Sequence, residues 1–281
     1  MSELSPNRQF RLPKIKAITW IGIVILVINI LFALLPGLFT NHDYATQDLR
    51  SRNMPGFWHP EGSWDHPLGT DHLGRDTWAR IVIGARISLI IAAGAVLVAG
   101  TIGTVLGLIS GYVGGVTDDI IMRLADIQLS FSPILLLIAI IAVIGTSLLN
   151  IILVLGIVSW VQYARVVRGV TLSTKEETYI EAARSLGMRD LRIIWRHILP
   201  NVIPTLLAIA AVKASQQILN EAALSFLGLG VQPPTPAWGS MLNEGQDYFQ
   251  VAWWNAAAPG IAIVIAVLGI NLIGDGLASR R

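Results

Sequence analysis

Three histidines and two aspartates in one polar loop are the side chains of this sequence best suited to holding a metal ion. They are His59, His66, His72, Asp65 and Asp71. Imidazole and carboxylate groups are the usual ligands of zinc and related transition metals. Their spacing matches no standard ligand motif, so the sequence favours a structured loop and no metal site.

Two ionisable residues interrupt a long apolar run in the second half of the chain. Lys213 and Glu221 lie about 12 Å apart along a helix, so they share a face without forming a salt bridge. Charges inside a membrane helix usually face protein or a water-filled path. We therefore expect both to face a path for solute or a partner subunit, and a purely structural pairing is the alternative.

Motifs for covalent or nucleotide chemistry are missing from the sequence. There is no cysteine, which excludes disulfides and thiol chemistry. There is also no G-x-x-x-x-G-K-[ST], no H-E-x-x-H and no G-x-S-x-G. We expect that the chain is not an enzyme and binds no cofactor itself, so that energy for any work comes from another protein.

The composition is that of an integral membrane protein. Hydrophobic residues make up 53% of the 281 residues and charged residues only 14%, which is too apolar for a soluble domain. The net charge of +2 is small, and the basic residues lie beside apolar runs. This distribution favours lipid or protein partners over nucleic acid.

Six apolar runs are candidates to cross the membrane, because about 20 helical residues cover the hydrocarbon core. They are 17–38, 87–112, 120–144, 148–167, 200–224 and 259–273. The sequence therefore predicts an all-α integral membrane fold of six transmembrane helices. Residues 1–16 form a cytoplasmic tail and residues 17–281 a single transmembrane domain.

Small and polar residues predict how the second and third spans pack. Gly103, Gly107 and Gly111 recur every four residues and offer a smooth face to another helix. Pro133 is expected to kink the third span. A polar stripe before this kink predicts an ion-pair ladder at a subunit interface, with solute binding as the alternative. The stripe consists of Asp119, Arg123, Asp126 and Ser130.

The distribution of charge predicts the orientation of the six spans. Basic residues outnumber acidic ones in 165–200, whereas 231–254 contains no Lys or Arg. The loops richer in Lys and Arg usually lie in the cytoplasm. Both termini and the loop after the fourth span are therefore expected inside, and the loops 40–84 and 231–254 outside.

The stretch 174–201 is the only long segment that is both charged and patterned as helix. A capping box at Ser173 or Thr174 is expected to start one helix, which ends at Gly187. A basic second helix capped by Asp190 then continues into the fifth span. Four residues form an apolar stripe on the first helix. They are Tyr179, Ala182, Ala183 and Leu186.

This stretch resembles the EAA loop of bacterial ABC-importer permeases. The residues concerned are Glu181, Ala182, Ala183, Arg184, Gly187, Leu199 and Pro200. The resemblance implies that a loop at about 173–199 holds a cytoplasmic coupling helix, which docks into a groove on an ATPase subunit. An ordinary amphipathic helix on anionic lipid headgroups is the alternative.

Two further motifs narrow the resemblance. The first is the loop 66–76, which together with 84–89 is similar to the signature of permeases that import dipeptides, oligopeptides or nickel. The second is 221–230, which is similar to the end of the fifth span in the same permeases. Glycines in the loop permit tight turns, and its charged residues can cross-link it. These loop residues are His66, Gly69, Asp71, Gly74, Arg75 and Asp76.

The resemblance also implies partners and a location. It implies a second related permease, two ATPase subunits that bind ATP and Mg²⁺, and an extracytoplasmic solute-binding protein, assembled in the bacterial inner membrane. Peptides are the expected solute, and nickel chelates, glutathione or another small solute are the alternatives. An ion-coupled secondary transporter would use Lys213 and Glu221 but leaves 174–201 without a role. An intramembrane enzyme using the loop histidines is the remaining alternative.

Overall fold

The structure is a computed structural model that describes residues 17–278, with side chains described up to Gly276. The predicted tail 1–16 lies outside the described residues. Within them the elements of regular secondary structure are all helices, and the one β-type pairing is an antiparallel bridge between Thr70 and Asp76. The predicted all-α fold is therefore confirmed.

Ten α-helices build the described part of the chain. They are α1 (Ala17–Leu34), α2 (Thr77–Val113), α3 (Gly115–Leu129), α4 (Pro133–Ile144), α5 (Leu148–Lys175), α6 (Thr178–Ser185), α7 (Asp190–Ile193), α8 (Leu199–Phe226), α9 (Trp238–Gln246) and α10 (Trp254–Ala278). Five helical segments are long and apolar enough to cross a membrane: α1, α2, α5, α7 with α8, and α10. The predicted six spans are reached when α3 and α4 count as one span.

Several helices extend beyond the apolar runs that predicted them. The second begins at Thr77 instead of residue 87, because the carboxylate of Asp76 accepts a hydrogen bond from the Ala79 N–H and caps its first turn. The fourth span continues to Lys175, well past residue 167. Hydropathy marks only the apolar part of a helix, whereas backbone hydrogen bonding continues into the polar residues on either side.

Helices α2 and α5 pack against each other along the predicted glycine face. A Cβ atom added at Gly107 would lie 2.6 Å from the carbonyl oxygen of Ala164 and 2.7 Å from the Cβ of Val167. At Gly111 it would lie 2.7 Å from the Cβ of Thr171. These distances are too short for any side chain, so the glycines permit the close approach of the two backbones. The predicted packing role of this face is confirmed.

The third span is broken rather than kinked. Helices α3 and α4 meet at an angle of 89° across residues 130–132. Ser132 is extended, with φ −61° and ψ 124°, as expected for a residue before proline. Pro133 cannot donate a backbone hydrogen bond, and the chain therefore starts a new helix there.

The fifth span begins as a helical run outside the apolar segment. Helix α7 leads through a π-helical turn, Ile194–Ile198, directly into α8. Pro200 follows this turn and supplies no N–H to the helical ladder. The π turn lies immediately before Pro200, and the basic segment and the span form one continuous helix.

Candidate functional site

The α5–α8 connection, residues 176–198, contains a short helix that ends at a glycine. Gly187 has a φ of +78°, which favours a residue without a side chain. Its N–H donates to the carbonyl of Arg184 at 3.0 Å, and the N–H of Met188 donates to that of Ala183 at 3.1 Å. Paired bonds of this kind are a common helix end. The predicted end of the helix is therefore confirmed.

The start of this helix differs from the predicted capping boxes. Ser173 and Thr174 belong to the last turns of α5, and Glu177 precedes α6 without a capping bond from its side chain. Because α5 continues through the predicted cap positions, their hydroxyls lie within a helix and cannot start the next one. Asp190 is likewise the first residue of α7 and not its cap.

The connection is anchored to the bundle by fully buried apolar side chains. Ile180 of α6, Ile193 of α7 and Ile198 of the π turn cluster with Val167 of α5 and Val202 of α8. Burying each of these side chains is worth about 1.5–3 kcal/mol. The connection is therefore held against the ends of two spans, α5 and α8.

The predicted apolar stripe of α6 does not form one buried face. Ala183 is buried, but Tyr179, Ala182 and Leu186 are exposed. Instead, the side chain of Ile180 points towards the bundle and packs in the apolar cluster described above. The pattern showed which residues share a side of the helix but not which side has a partner within this chain.

The outward side of the connection carries large apolar side chains. Leu186 is 86% exposed and Leu191 is 71% exposed. Tyr179 and Trp195 are exposed as well. Among the residues that match the EAA loop, Glu181, Arg184 and Pro200 are exposed. Leu199 is half-buried. Such an apolar area on a charged segment is typical of a surface that binds another protein.

Tyr112, at the end of α2, joins three elements and was missed by the sequence analysis. Its hydroxyl donates to the carboxylate of Asp190, and the guanidinium of Arg184 donates to the same hydroxyl at 3.4 Å. The Arg184 guanidinium also lies 5.8 Å from the centre of the tyrosine ring. Lys175 donates to the Tyr112 carbonyl at 3.3 Å. Tyr112 therefore links the end of α2 to both short helices of the connection.

Replacing Tyr112 by phenylalanine is expected to loosen the connection without unfolding the bundle. The change removes the hydroxyl that bridges Asp190 and Arg184, which costs about 1 kcal/mol, and it keeps the ring. We expect the backbone amides of 178–193 to exchange with deuterium about fivefold faster. Tyr163→Phe is the matched control, because its buried hydroxyl has no hydrogen-bond partner among the described residues. Equal exchange in both variants would contradict the linking role.

Ion pairs connect α3 to α5 near the same end of the bundle. The Arg168 guanidinium donates two bonds of 2.6 Å to Asp118, and Arg165 pairs with Asp126 at 2.5 Å. Asp126, which belongs to the predicted polar stripe of α3, therefore forms its ion pair with a residue of α5. Asp119 and Arg123 are exposed on α3 and form no ion pair with the described residues. Within this chain the ion pairs join α3 to α5, and the predicted ladder at a subunit interface stays a prediction.

At the opposite end of α2, four charged side chains form what we call the charge cluster: Asp71, Arg75, Arg80 and Glu244. The Arg75 guanidinium donates to Asp71 at 2.6 Å and to Glu244 at 2.6 Å. Arg80 donates to the same two carboxylates, with 2.8 Å to Glu244. Both arginines and Asp71 are buried. The cluster fastens the loop before α2 to α9, although Glu244 lies far away in the sequence.

The environment of Asp71 explains why it stays charged. Burial raises the pKa of its carboxyl group, but Arg80, Arg75 and two backbone N–H donors outweigh that effect. The pKa of Asp71 therefore lies below its ordinary value of 3.8. Gly69 and Gly74 have φ values of +77° and +74°, which confirms that they serve the turns around this carboxylate.

The loop histidines are divided among separate neighbours. His66 is bonded to Asp76 at 2.7 Å and stacks near His42, whereas His72 stacks on Tyr248. Among the described residues, the groups with metal-ligand geometry are His42 with His66 and Asp76, and His72 with Asp71 and Glu244. In the second group, Asp71 and Glu244 are already paired to the two arginines of the charge cluster. His59 belongs to neither group.

Glu221 and Lys213 have different surroundings, contrary to the shared role that the sequence suggested. Glu221 is fully buried and bonded to Ser88 at 3.3 Å and Ser225 at 2.6 Å. It therefore faces α2 within this chain and not a path or a partner. Its role in the structure is a structural pairing between α2 and α8. Lys213 is partly exposed and donates to Gln216 at 2.8 Å.

Comparison with known proteins relates this geometry to a family. A model described as "binding-protein-dependent transport system inner membrane component" matches residues 103–280. The dipeptide transport system permease protein DppC of Alkalihalophilus pseudofirmus is 42% identical over 98% of this chain and 88% of its own length. The glutathione transport system permease protein GsiD of Pectobacterium atrosepticum is 47% identical over 75% of this chain and 70% of its own.

Further matches come from another curated relative and from a solved structure. The di/tripeptide transport system permease protein DppC of Pseudomonas aeruginosa is 39% identical over 91% of this chain and 84% of its own length. Inward-facing structures of the MetNI methionine ABC transporter include a chain with a TM-score of 0.52. That likeness covers 72% of this chain and 95% of the other at 21% identity, and it concerns the fold alone.

Proposed function

Since the chain belongs to the family of binding-protein-dependent transport system inner membrane components and is a multi-pass permease of an ABC importer, we propose that it imports short peptides. Relatives named for dipeptide and di/tripeptide transport support this substrate class. Glutathione is the second candidate, because relatives at 47% and 40% identity are named for it. Glutathione is itself a small peptide, so both candidates share amide and carboxylate groups.

The exposed apolar side of the α5–α8 connection supports the proposal that other subunits bind this chain. Leu186 and Leu191 are largely exposed on a segment that is anchored from behind by Ile180 and Ile193. Such an arrangement suits a surface that an ATPase subunit covers in the assembled transporter. Two such subunits bind ATP and Mg²⁺, while this chain pairs with a second related permease and receives solute from a binding protein. The chain itself binds no cofactor.

The orientation follows from the same proposal. If ATPase subunits cover the connection, it lies in the cytoplasm together with both termini, and the charge cluster lies outside. The excess of basic residues in 165–200 supports this orientation. An ion-coupled transporter has no use for an exposed apolar connection, and Glu221 is sealed within the chain. The ATP-driven mechanism therefore fits better.

The mechanism then consists of a rigid-body movement. When ATP closes the two ATPase subunits, α6 moves with the surface on which it docks. The isoleucine cluster and the Tyr112 link pass this movement to α2, α5 and α8. The permease pair changes between inward-open and outward-open states whose populations the nucleotide sets.

Leu186→Asp tests the docking surface directly. Leu186 has almost no contact within this chain, so its replacement should leave the permease folded. A carboxylate in an apolar protein interface costs several kcal/mol, so we expect the ATPase subunits to be lost from the purified complex and ATP-driven peptide uptake into vesicles to fall at least tenfold. Leu49→Asp is the matched control, since Leu49 is an exposed leucine of the loop before α2. Retention of the ATPases by Leu186→Asp, or their equal loss in both variants, would refute the proposal.

A further inference from the structure

The break between α3 and α4 borders a polar cavity in the membrane-spanning part of the bundle. Leu129 and Pro133, on either side of the break, both line this cavity of about 60 Å³. Irregular backbone at membrane depth is tolerated only where protein buries it or where it lines a water-filled space. Residues 130–132 are exposed in this chain, so the break needs water or another subunit beside it, and this is the first sign of a polar path here.

The side chains of the same cavity are the second sign. The cavity is lined by amide and hydroxyl groups from α5 and α8, among them Gln162, Gln216, Asn220 and Ser159. Gln162 and Asn220 make no side-chain hydrogen bond to the described part of the chain. Gln162 is exposed and Asn220 half-buried at the surface of this chain. An unpaired amide at the depth of the hydrocarbon core costs several kcal/mol, so these groups need water, a polar solute or another subunit as a partner.

Two other large cavities of the described chain differ in character. One, of about 340 Å³, is lined mostly by apolar residues of α1, α2 and α10, and another, of about 370 Å³, mostly by those of α2 and α8. Acyl chains of the membrane can fill such spaces without losing hydrogen bonds. Only a polar partner satisfies the cavity beside the break.

Lys213 is the third sign, because it places a positive charge next to this cavity. It lies three residues before Gln216 on α8, and its ammonium donates to the Gln216 side-chain oxygen at 2.8 Å. No carboxylate among the described residues forms an ion pair with it. Gln216 lies about 15 Å from the end of α8, which is near the middle of a ~30 Å hydrocarbon core.

We propose that this cavity, bounded by the α3–α4 break, α5 and α8, is a binding site for the peptide backbone on the path through the membrane. Gln162, Gln216 and Asn220 exchange hydrogen bonds with peptide groups, and Lys213 attracts the terminal carboxylate. The proposal rests on peptide import as the function. The volume is that of a few water molecules, so the helices separate when a peptide passes.

Carboxamide side chains explain why such a site suits many peptides. Each carboxamide offers both donors and an acceptor, which match the N–H and C=O of any peptide group. Recognition of the backbone in this way does not depend on the side chains of the substrate. The site would therefore select for a peptide bond and a free carboxylate, and not for a particular sequence.

Labelling of single cysteines tests whether water and peptide reach the cavity. The chain has no natural cysteine, so Gln162→Cys, Asn220→Cys and a control Val264→Cys each introduce the only thiol of this subunit. Val264 is exposed in the middle of α10, on an apolar part of the helix. In the complete transporter in vesicles, we expect a charged methanethiosulfonate reagent to modify the first two at least tenfold faster than the control. A saturating dipeptide should slow both reactions.

A second measurement separates this proposal from peptide import itself. For Lys213→Met we expect the KM for a dipeptide to rise about tenfold, while the KM for the same dipeptide with an amidated C-terminus stays unchanged. Unchanged KM values for both, or cysteines that react no faster than the control, would overturn the site. If the unmodified transporter takes up no dipeptide with ATP, the proposed function fails first.

Discussion

Asp71→Ala is expected to destabilise the permease by about 3–5 kcal/mol, because it leaves two buried guanidinium groups with a single carboxylate. Asp71 accepts bonds from Arg75, from Arg80 and from the backbone N–H groups of Leu73 and Arg75. Glu244 already bonds both arginines and cannot replace these contacts. Thermal unfolding of the purified complex in detergent measures the effect.

The stabilisation that Asp71 provides is also expected to decrease at low pH. The pKa of Asp71 in the folded chain lies below 3.8, its ordinary value in the unfolded chain. The carboxylate therefore stabilises the fold fully at a pH above the unfolded-state pKa, and this stabilisation is lost as the pH falls through the folded-state pKa. We therefore expect the difference between wild type and Asp71→Ala to be constant near neutral pH and to shrink below about pH 4.

Asp65→Ala is the matched control for this prediction. Asp65 is exposed in the same loop and forms no ion pair with the described residues. We expect its replacement to change the unfolding temperature by less than a degree or two, as is usual for an exposed side chain. Equal stability of the two variants, or a difference that grows at low pH, would show that the charge cluster does not hold the loop to α9.

Gly107→Leu is expected to prevent α2 and α5 from packing and to abolish assembly of the transporter. The first atom of the new side chain would lie 2.6 Å from the Ala164 carbonyl oxygen, and that backbone cannot move away within a helix. Overpacking a well-filled interior costs about 1–3 kcal/mol, and a whole leucine side chain between two backbones exceeds that range. The amount of folded permease recovered from membranes, and its retention in the complex, measure the effect.

A second glycine gives the control for the packing prediction. Gly169 lies on the neighbouring helix α5, where a Cβ atom would meet open space. Gly169→Leu should therefore leave the yield and assembly of the permease unchanged. If both leucine variants assembled equally well, the close approach of α2 and α5 would not be needed for the fold.

Helix α2 joins the charge cluster to the α5–α8 connection in the proposed mechanism. It spans about 55 Å from Thr77, beside the charge cluster, to Tyr112 and the α5–α8 connection. Close packing on α5 along residues 94–111 keeps this part of α2 aligned. A movement that begins at the connection can therefore reach the opposite end, where the cluster joins α2 to α9.

The sequence alone determined the features that depend on neighbouring residues. Apolar runs of sufficient length predicted the helical spans, and the four-residue spacing of Gly103, Gly107 and Gly111 predicted a packing face. Gly187 predicted a helix end because a left-handed residue is needed there. Motifs shared with permeases predicted the family, which the comparisons confirmed. Each of these signals lies within a few turns of one helix or within one loop.

Only the tertiary structure decided which partners distant residues meet. Glu221 is sealed against Ser88, and Glu244 pairs with Arg75 and Arg80, although long stretches of sequence separate them. In the same way Ile180, and not the predicted stripe, became the buried side of α6. Periodicity shows which residues share a side of a helix, but the direction of that side depends on the surface against which the helix packs. That surface is built from several spans, so it exists only once they are assembled.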